Sequence, residues 1–102
     1  MIKITDKILQ LDKPNGTFII FGEYDSEEDF TVFLNLLNKE LGADVGLQDQ
    51  NPYSKSANIT FSSGNATAIY QGGIGCAIRI NPEKADLVAE IVSGCSKISS
   101  KQ

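Results

Sequence analysis

The 102 residues carry thirteen acids against nine bases and no histidine, giving a net charge of −4 and an isoelectric point near 4.6. That balance argues against a nucleic-acid partner, which needs Lys and Arg to neutralise phosphates, and the missing histidine removes the usual general base and metal ligand. With 41% apolar and 22% charged residues, the chain reads as one soluble globular domain over 1–102, with a frayed tail at 99–102.

Ile2 to Leu11 places Ile2, Ile4 and Ile8 at even spacing, then Leu9 and Leu11, which predicts a strand with a bulge near Asp6. Asp12-Lys13-Pro14-Asn15-Gly16 follows as a hairpin turn, because Pro presets φ and Asn-Gly tolerates positive φ. Thr17 to Tyr24 returns as a second strand, and its Phe18-Ile19-Ile20-Phe21 run, apolar on both faces, puts it in the middle of the sheet.

A helix is expected from about Ser26 to Leu41. Ser26 and Asp29 form a variant of the capping box, and Glu27, Glu28 and Asp29 complement the positive helix end. Phe30, Phe33, Leu34, Leu37 and Leu41 line one face, Val32 and Leu36 widen it, and Gly42 stops the helix. Residues 43–56 form a polar stretch read as a long loop, with room for a short edge strand around Val45 and Leu47.

Three strands at Ala57–Ser62, Asn65–Gln71 and Ile74–Ile80 form a meander, with one face core and the other largely polar. Asn81 as cap, Pro82 at the first helical position and Glu83 behind it open the second helix, whose buried stripe is Leu87, Val88, Ile91, Val92 and Cys95. The fold class is α+β, ββαβββα, a five-stranded antiparallel sheet with two helices on one face.

Motifs for chemistry fail on inspection. Gly72-Gly73-Ile74-Gly75 leads into a strand and not a helix N-terminus, so it is a hairpin turn and no phosphate loop. Asp25-x-Glu27-x-Asp29 begins like a calcium loop, but Phe30 and Leu36 stand where the turn glycine and bidentate glutamate belong. No S-x-x-K occurs. Cys76 and Cys95 both point inward, and helix rise against strand rise carries Cys95 about 6 Å past Cys76, which favours two buried free thiols. No metal, cofactor or catalytic residue is expected, and the chain is read as no enzyme.

The acids are the best candidates for contact with a partner. Glu23, Asp25, Glu27, Glu28 and Asp29, joined by Asp44 and Asp49 from the polar stretch, form an expected docking patch for a basic protein, with Tyr53 as an aromatic anchor. Arg79 is expected on the open sheet face among Asn58, Thr60, Thr67 and Ala77, paired to a surface carboxylate, or else anchoring a partner or a small anion. Alternatives are a small-ligand or carboxylate-using enzyme domain around the long loop, and a homodimer or larger homo-oligomer through the open face or an edge strand.

No apolar run is long enough to span a bilayer, and Lys3, Asp6 and Lys7 interrupt the N-terminal segment, so neither a membrane nor a signal peptide is expected and the compartment is read as cytoplasmic. A small, acidic, histidine-free α+β domain with an early helix, a polar Asn51-Pro52-Tyr53-Ser54 segment, a meander and a closing helix resembles, in architecture and charge, the immunity proteins of bacterial toxin systems. The resemblance implies a non-enzymatic module that neutralises a basic toxin domain by steric and electrostatic occlusion.

Overall fold

A computed structural model describes residues 2–4, 7–50 and 54–95. The element order is β1 (Ile2–Lys3), β2 (Ile8–Lys13), β3 (Gly16–Phe21), α1 (Asp29–Leu41), β4 (Asp44–Gln50), β5 (Ser54–Phe61), β6 (Gly64–Gln71), β7 (Gly75–Ile80) and α2 (Ala85–Cys95). The strands form one antiparallel sheet in the order β1-β2-β3-β7-β6-β5-β4.

The α+β class stands, but the strand count is corrected. The first expected strand is divided: β1 folds back antiparallel on β2, pairing Lys3 with Leu9, and Ile4 N–H donates to Ile8 O at 2.9 Å. The polar stretch holds the edge strand it had room for around Val45 and Leu47, but as a seven-residue strand, β4, that replaces most of the expected loop and is bulged between Val45 and Gln48 where it pairs with β5. Leaving out the two-residue β1, the sheet has six strands where five were expected. Helix α1 carries the chain from central β3 to the far edge, and the meander β4 to β7 returns it so that β7 docks against β3.

Both helices lie on one side, their buried residues joining a single core with Ile8, Ile19, Phe21, Ala57, Ile59, Ala68, Cys76 and Ile78 of the sheet. Phe33 is the hinge of that core. Its ring sits 4.9 Å from Phe21 and 5.6 Å from Tyr24, both tilted, an arrangement that adds to plain burial. Truncating a side chain so placed costs about 3–5 kcal/mol. Phe30, Phe33, Leu34 and Leu37 are buried as the spacing predicts, whereas Val32 faces outward at 45% exposure, so the α1 stripe is narrower than expected.

Helix ends follow their chemistry with shifted starts. Gly42, at φ +70°, closes α1 in a Schellman-type cap in which Gly42 N–H donates to Asn38 O and Ala43 N–H to Leu37 O. At the other end Ser26 and Asp29 exchange the two expected hydrogen bonds, but they do so in a turn that precedes the helix, which begins at Asp29. Asn81 to Lys84 is likewise a turn, closed by Lys84 N–H to Asn81 O at 3.1 Å, so Pro82 occupies a turn corner and α2 starts at Ala85. Leu87, Ile91 and Cys95 of its stripe are buried, and Val88 and Val92 pack against the core. Ile98 and the tail at 99–102 lie outside the described residues.

Candidate functional site

Two surfaces carry unusual side chains, and the sheet positions both. The first is the segment between β3 and α1. Tyr24 pins it: the ring is fully buried in the core, while its carbonyl oxygen accepts Cys76 N–H at 2.8 Å. Burial, reinforced by the charges of Glu23 and Asp29 and by Cys76, pushes the Tyr24 phenol above its ordinary value, so it stays neutral. Gly75 makes the approach possible, because it holds φ +99° and a β-carbon there would lie 3.1 Å from Tyr24 O.

With Tyr24 fixed inward, its acidic neighbours divide by environment. Asp25, Glu27 and Glu28 are exposed, and Glu23 is half-buried. Asp29 is 8% exposed and occupied with Ser26, which makes it a structural acid and not a docking one. Glu27, itself exposed, meets Lys55 Nζ at 3.3 Å; the Lys55 side chain is only 15% exposed, and the pair, solvent-screened on the Glu27 side, tethers the segment to β5 more than it stabilises the fold. Tyr70 Oη donates to Asp25 O at 3.4 Å.

The other expected acids lie at different places along β4. Asp44 pairs with Thr60 and Asp49 with Ser56, five residues apart along β4 and therefore separated by about 17 Å. Asp49 lies at the Glu27 end of the sheet, in the row that faces away from the helices. Tyr53 lies outside the described residues.

The second surface is the sheet face opposite the helices, and it departs from the largely polar face expected. Registers align one row as Leu9, Ile20, Ala77, Ile69, Ser56 and Asp49, and the next as Leu11, Phe18, Arg79, Thr67 and Asn58. Each row is apolar over β2 and β3 and polar toward β4. Leu11, Phe18, Ile20, Ile69 and Ala77, with Ile74 from the β6–β7 turn, line a shallow depression of about 240 Å³ whose rim holds Lys13 and Gln71. Except for Ala77, which is buried, these apolar residues are half-buried or, for Ile74, 50% exposed, with no element over them among the described residues. The signal was present in the Phe18-Ile19-Ile20-Phe21 run, since a strand apolar on both sides needs cover on both.

Arg79 stands on this face, as alternation predicts, paired across strands with Phe18 and Thr67. It lines a smaller, polar depression of about 120 Å³ with Asn58, Asn65, Ala66, Thr67 and Asn81. The expected surface carboxylate beside it is missing: among the described residues Arg79 makes no ion pair or hydrogen bond. The two surfaces meet at the β6–β7 turn, where a β-carbon on Gly75, next to Ile74 of the apolar depression, would lie 3.4 Å from Asp25 Cα.

Cys76 and Cys95 are buried thiols outside any disulfide, and burial raises the Cys95 thiol. No group of three or more potential metal ligands occurs among the described residues, and no helix there is long and apolar enough to cross a membrane. No protein-family model matches the chain, and neither a curated protein nor a solved structure is significantly similar to it.

Proposed function

We propose that this chain is a small protein-binding module that acts by covering a surface of a basic partner, in the manner of a bacterial immunity protein held in the cytoplasm against a toxin domain. The observation that carries the reading is the junction of an apolar sheet face, with no element over it among the described residues, and a segment of exposed acids at Asp25, Glu27 and Glu28. An apolar centre beside a charged rim is the ordinary anatomy of a protein interface. The acids steer a positively charged partner and set register, while the Leu9, Phe18, Ile20 and Ile69 surface supplies most of the buried area. Binding is then the whole activity, and no reaction is assigned to the chain.

Affinity capture from the native cell tests this, with the full chain as bait. The expected result is an equimolar basic protein whose retention falls as salt rises and falls again when Asp25, Glu27 and Glu28 are all changed to Lys. A chain that retains no partner, or one whose retention ignores both salt and charge reversal, ends the proposal.

A further inference from the structure

On the face opposite the helices, the two depressions carry a charge opposite to that of the chain. Thirteen acids outnumber nine bases overall, yet the charged residues lining the two depressions of this face are Lys13 and Arg79, and no carboxylate is among them. Arg79 has Phe18 on one side and Thr67 on the other, about 5 Å away as directly opposed strand residues. Asn58, Asn65 and Asn81 complete the rim, and none of these side chains makes a hydrogen bond among the described residues. A guanidinium fork, amides and a hydroxyl, all unengaged, offer many donors and one positive charge to a single small hollow.

We infer that Arg79, with Asn58, Thr67 and Asn81, is a carboxylate-binding subsite that adjoins the Leu11, Phe18, Ile20 and Ile69 depression. The occupant that fits both is a segment of a partner protein that presents an apolar side chain next to a carboxylate. The guanidinium takes the carboxylate in a two-bond fork, the asparagine amides and Thr67 hydroxyl satisfy its remaining lone pairs, and the neighbouring ring or branched chain lies on Phe18 and Ile20. A bare anion leaves the apolar hollow empty, and an uncharged apolar group leaves Arg79 without its counter-charge.

The inference rests on the docking reading of this face, but a fragment pair tests it without any partner. N-acetylphenylalanine and its amide share a ring and differ by the carboxylate. Titrated at neutral pH into the isotope-labelled full chain, the acid should give saturable shifts at Phe18, Thr67 and Arg79, with the amide weaker by about fivefold or more, the scale of one charge-assisted fork at an exposed site. Arg79→Gln should bring the acid down to the level of the amide, and Arg79→Lys should restore part of the difference. Equal affinity for acid and amide, shifts confined to other residues, or an Arg79→Gln chain that binds the acid undiminished would each overturn the subsite. Inorganic phosphate that saturates the same signals more tightly than the acid would overturn the apolar part. A negative result here removes the Arg79 subsite and leaves the capture experiment standing, whereas failed capture removes the function.

Discussion

Glu90 of α2 accepts Ser62 Oγ–H at 2.5 Å and Ser63 N–H at 3.0 Å, and so ties the second helix to the β5–β6 turn twenty-seven or more residues earlier in the chain. From sequence alone Glu90 belongs to the water-facing side of α2, and its tertiary role comes only from where the meander turns. The hydrogen bond from the Ser62 hydroxyl, followed by those from Ser63, holds the Glu90 carboxyl below its ordinary value. A lowered folded value means that the unfolded chain binds the proton more readily, so the tie stabilises above the ordinary glutamate range and is lost as pH falls through the folded value. Glu90→Gln should cost about 1 kcal/mol or less at neutral pH, the site being solvent-screened, and the gap to the parent should close in acid. Thermal melts across that range check it, and a gap independent of pH would contradict the assignment.

Asp25 and Asp29 are both acids of one segment with different fates. Asp29→Ala removes the reciprocal bonds with Ser26 and should lower stability by about 1 kcal/mol, whereas Asp25→Ala should change it by less than about 0.5 kcal/mol. Denaturant midpoints for the two variants separate these outcomes.

Gly75 and Gly72 lie three residues apart in the same hairpin. At Gly75 a side chain meets positive φ and the Tyr24 carbonyl, while a β-carbon on Gly72 meets nothing within 4 Å. Gly75→Ala should therefore cost about 1–3 kcal/mol and Gly72→Ala close to nothing. Similar losses would mean that Tyr24 does not pin the acidic segment to β7.

Cys76 and Cys95 are both buried thiols, and Cys95 is also biased toward its unreactive protonated form. A thiol-specific dye should label neither in the native chain at neutral pH and both once denaturant is added. Fast native labelling would show that the core opens at the inner ends of β7 and α2.

Much of this was legible in the residues. Period-two alternation located the meander, and the Phe30-Phe33-Leu34-Leu37 spacing fixed the buried side of α1 because a helix must bury one stripe. Strand β4 was legible only as room for a short edge strand around Val45 and Leu47, and its length was not: Asp44-Val45-Gly46-Leu47-Gln48-Asp49-Gln50 has little apolar alternation, and Leu47 is 95% exposed at the bulge. Its strand character comes from the free hydrogen-bonding edge of β5, a tertiary cause that propensity does not record. The Phe18-Ile19-Ile20-Phe21 run signals an apolar outer face, but the same limit hid its extent, since Leu9, Ile20 and Ile69 become one surface only after the strands pair. The acids, conversely, were grouped by composition, and the strand geometry sets Asp44 apart and puts Asp29 inside.

Ile20→Glu tests the docking face most directly. It places a carboxylate in the middle of the apolar row, where Ile20 is half-buried and stands between Leu9 and Ala77. The apolar face, with no described element over it, predicts that the variant stays folded, within roughly 1–2 kcal/mol of the parent, and no longer captures the partner that the parent retains from the native cell. A folded variant that holds the same partner with undiminished affinity would contradict the assignment of this face as the site of binding.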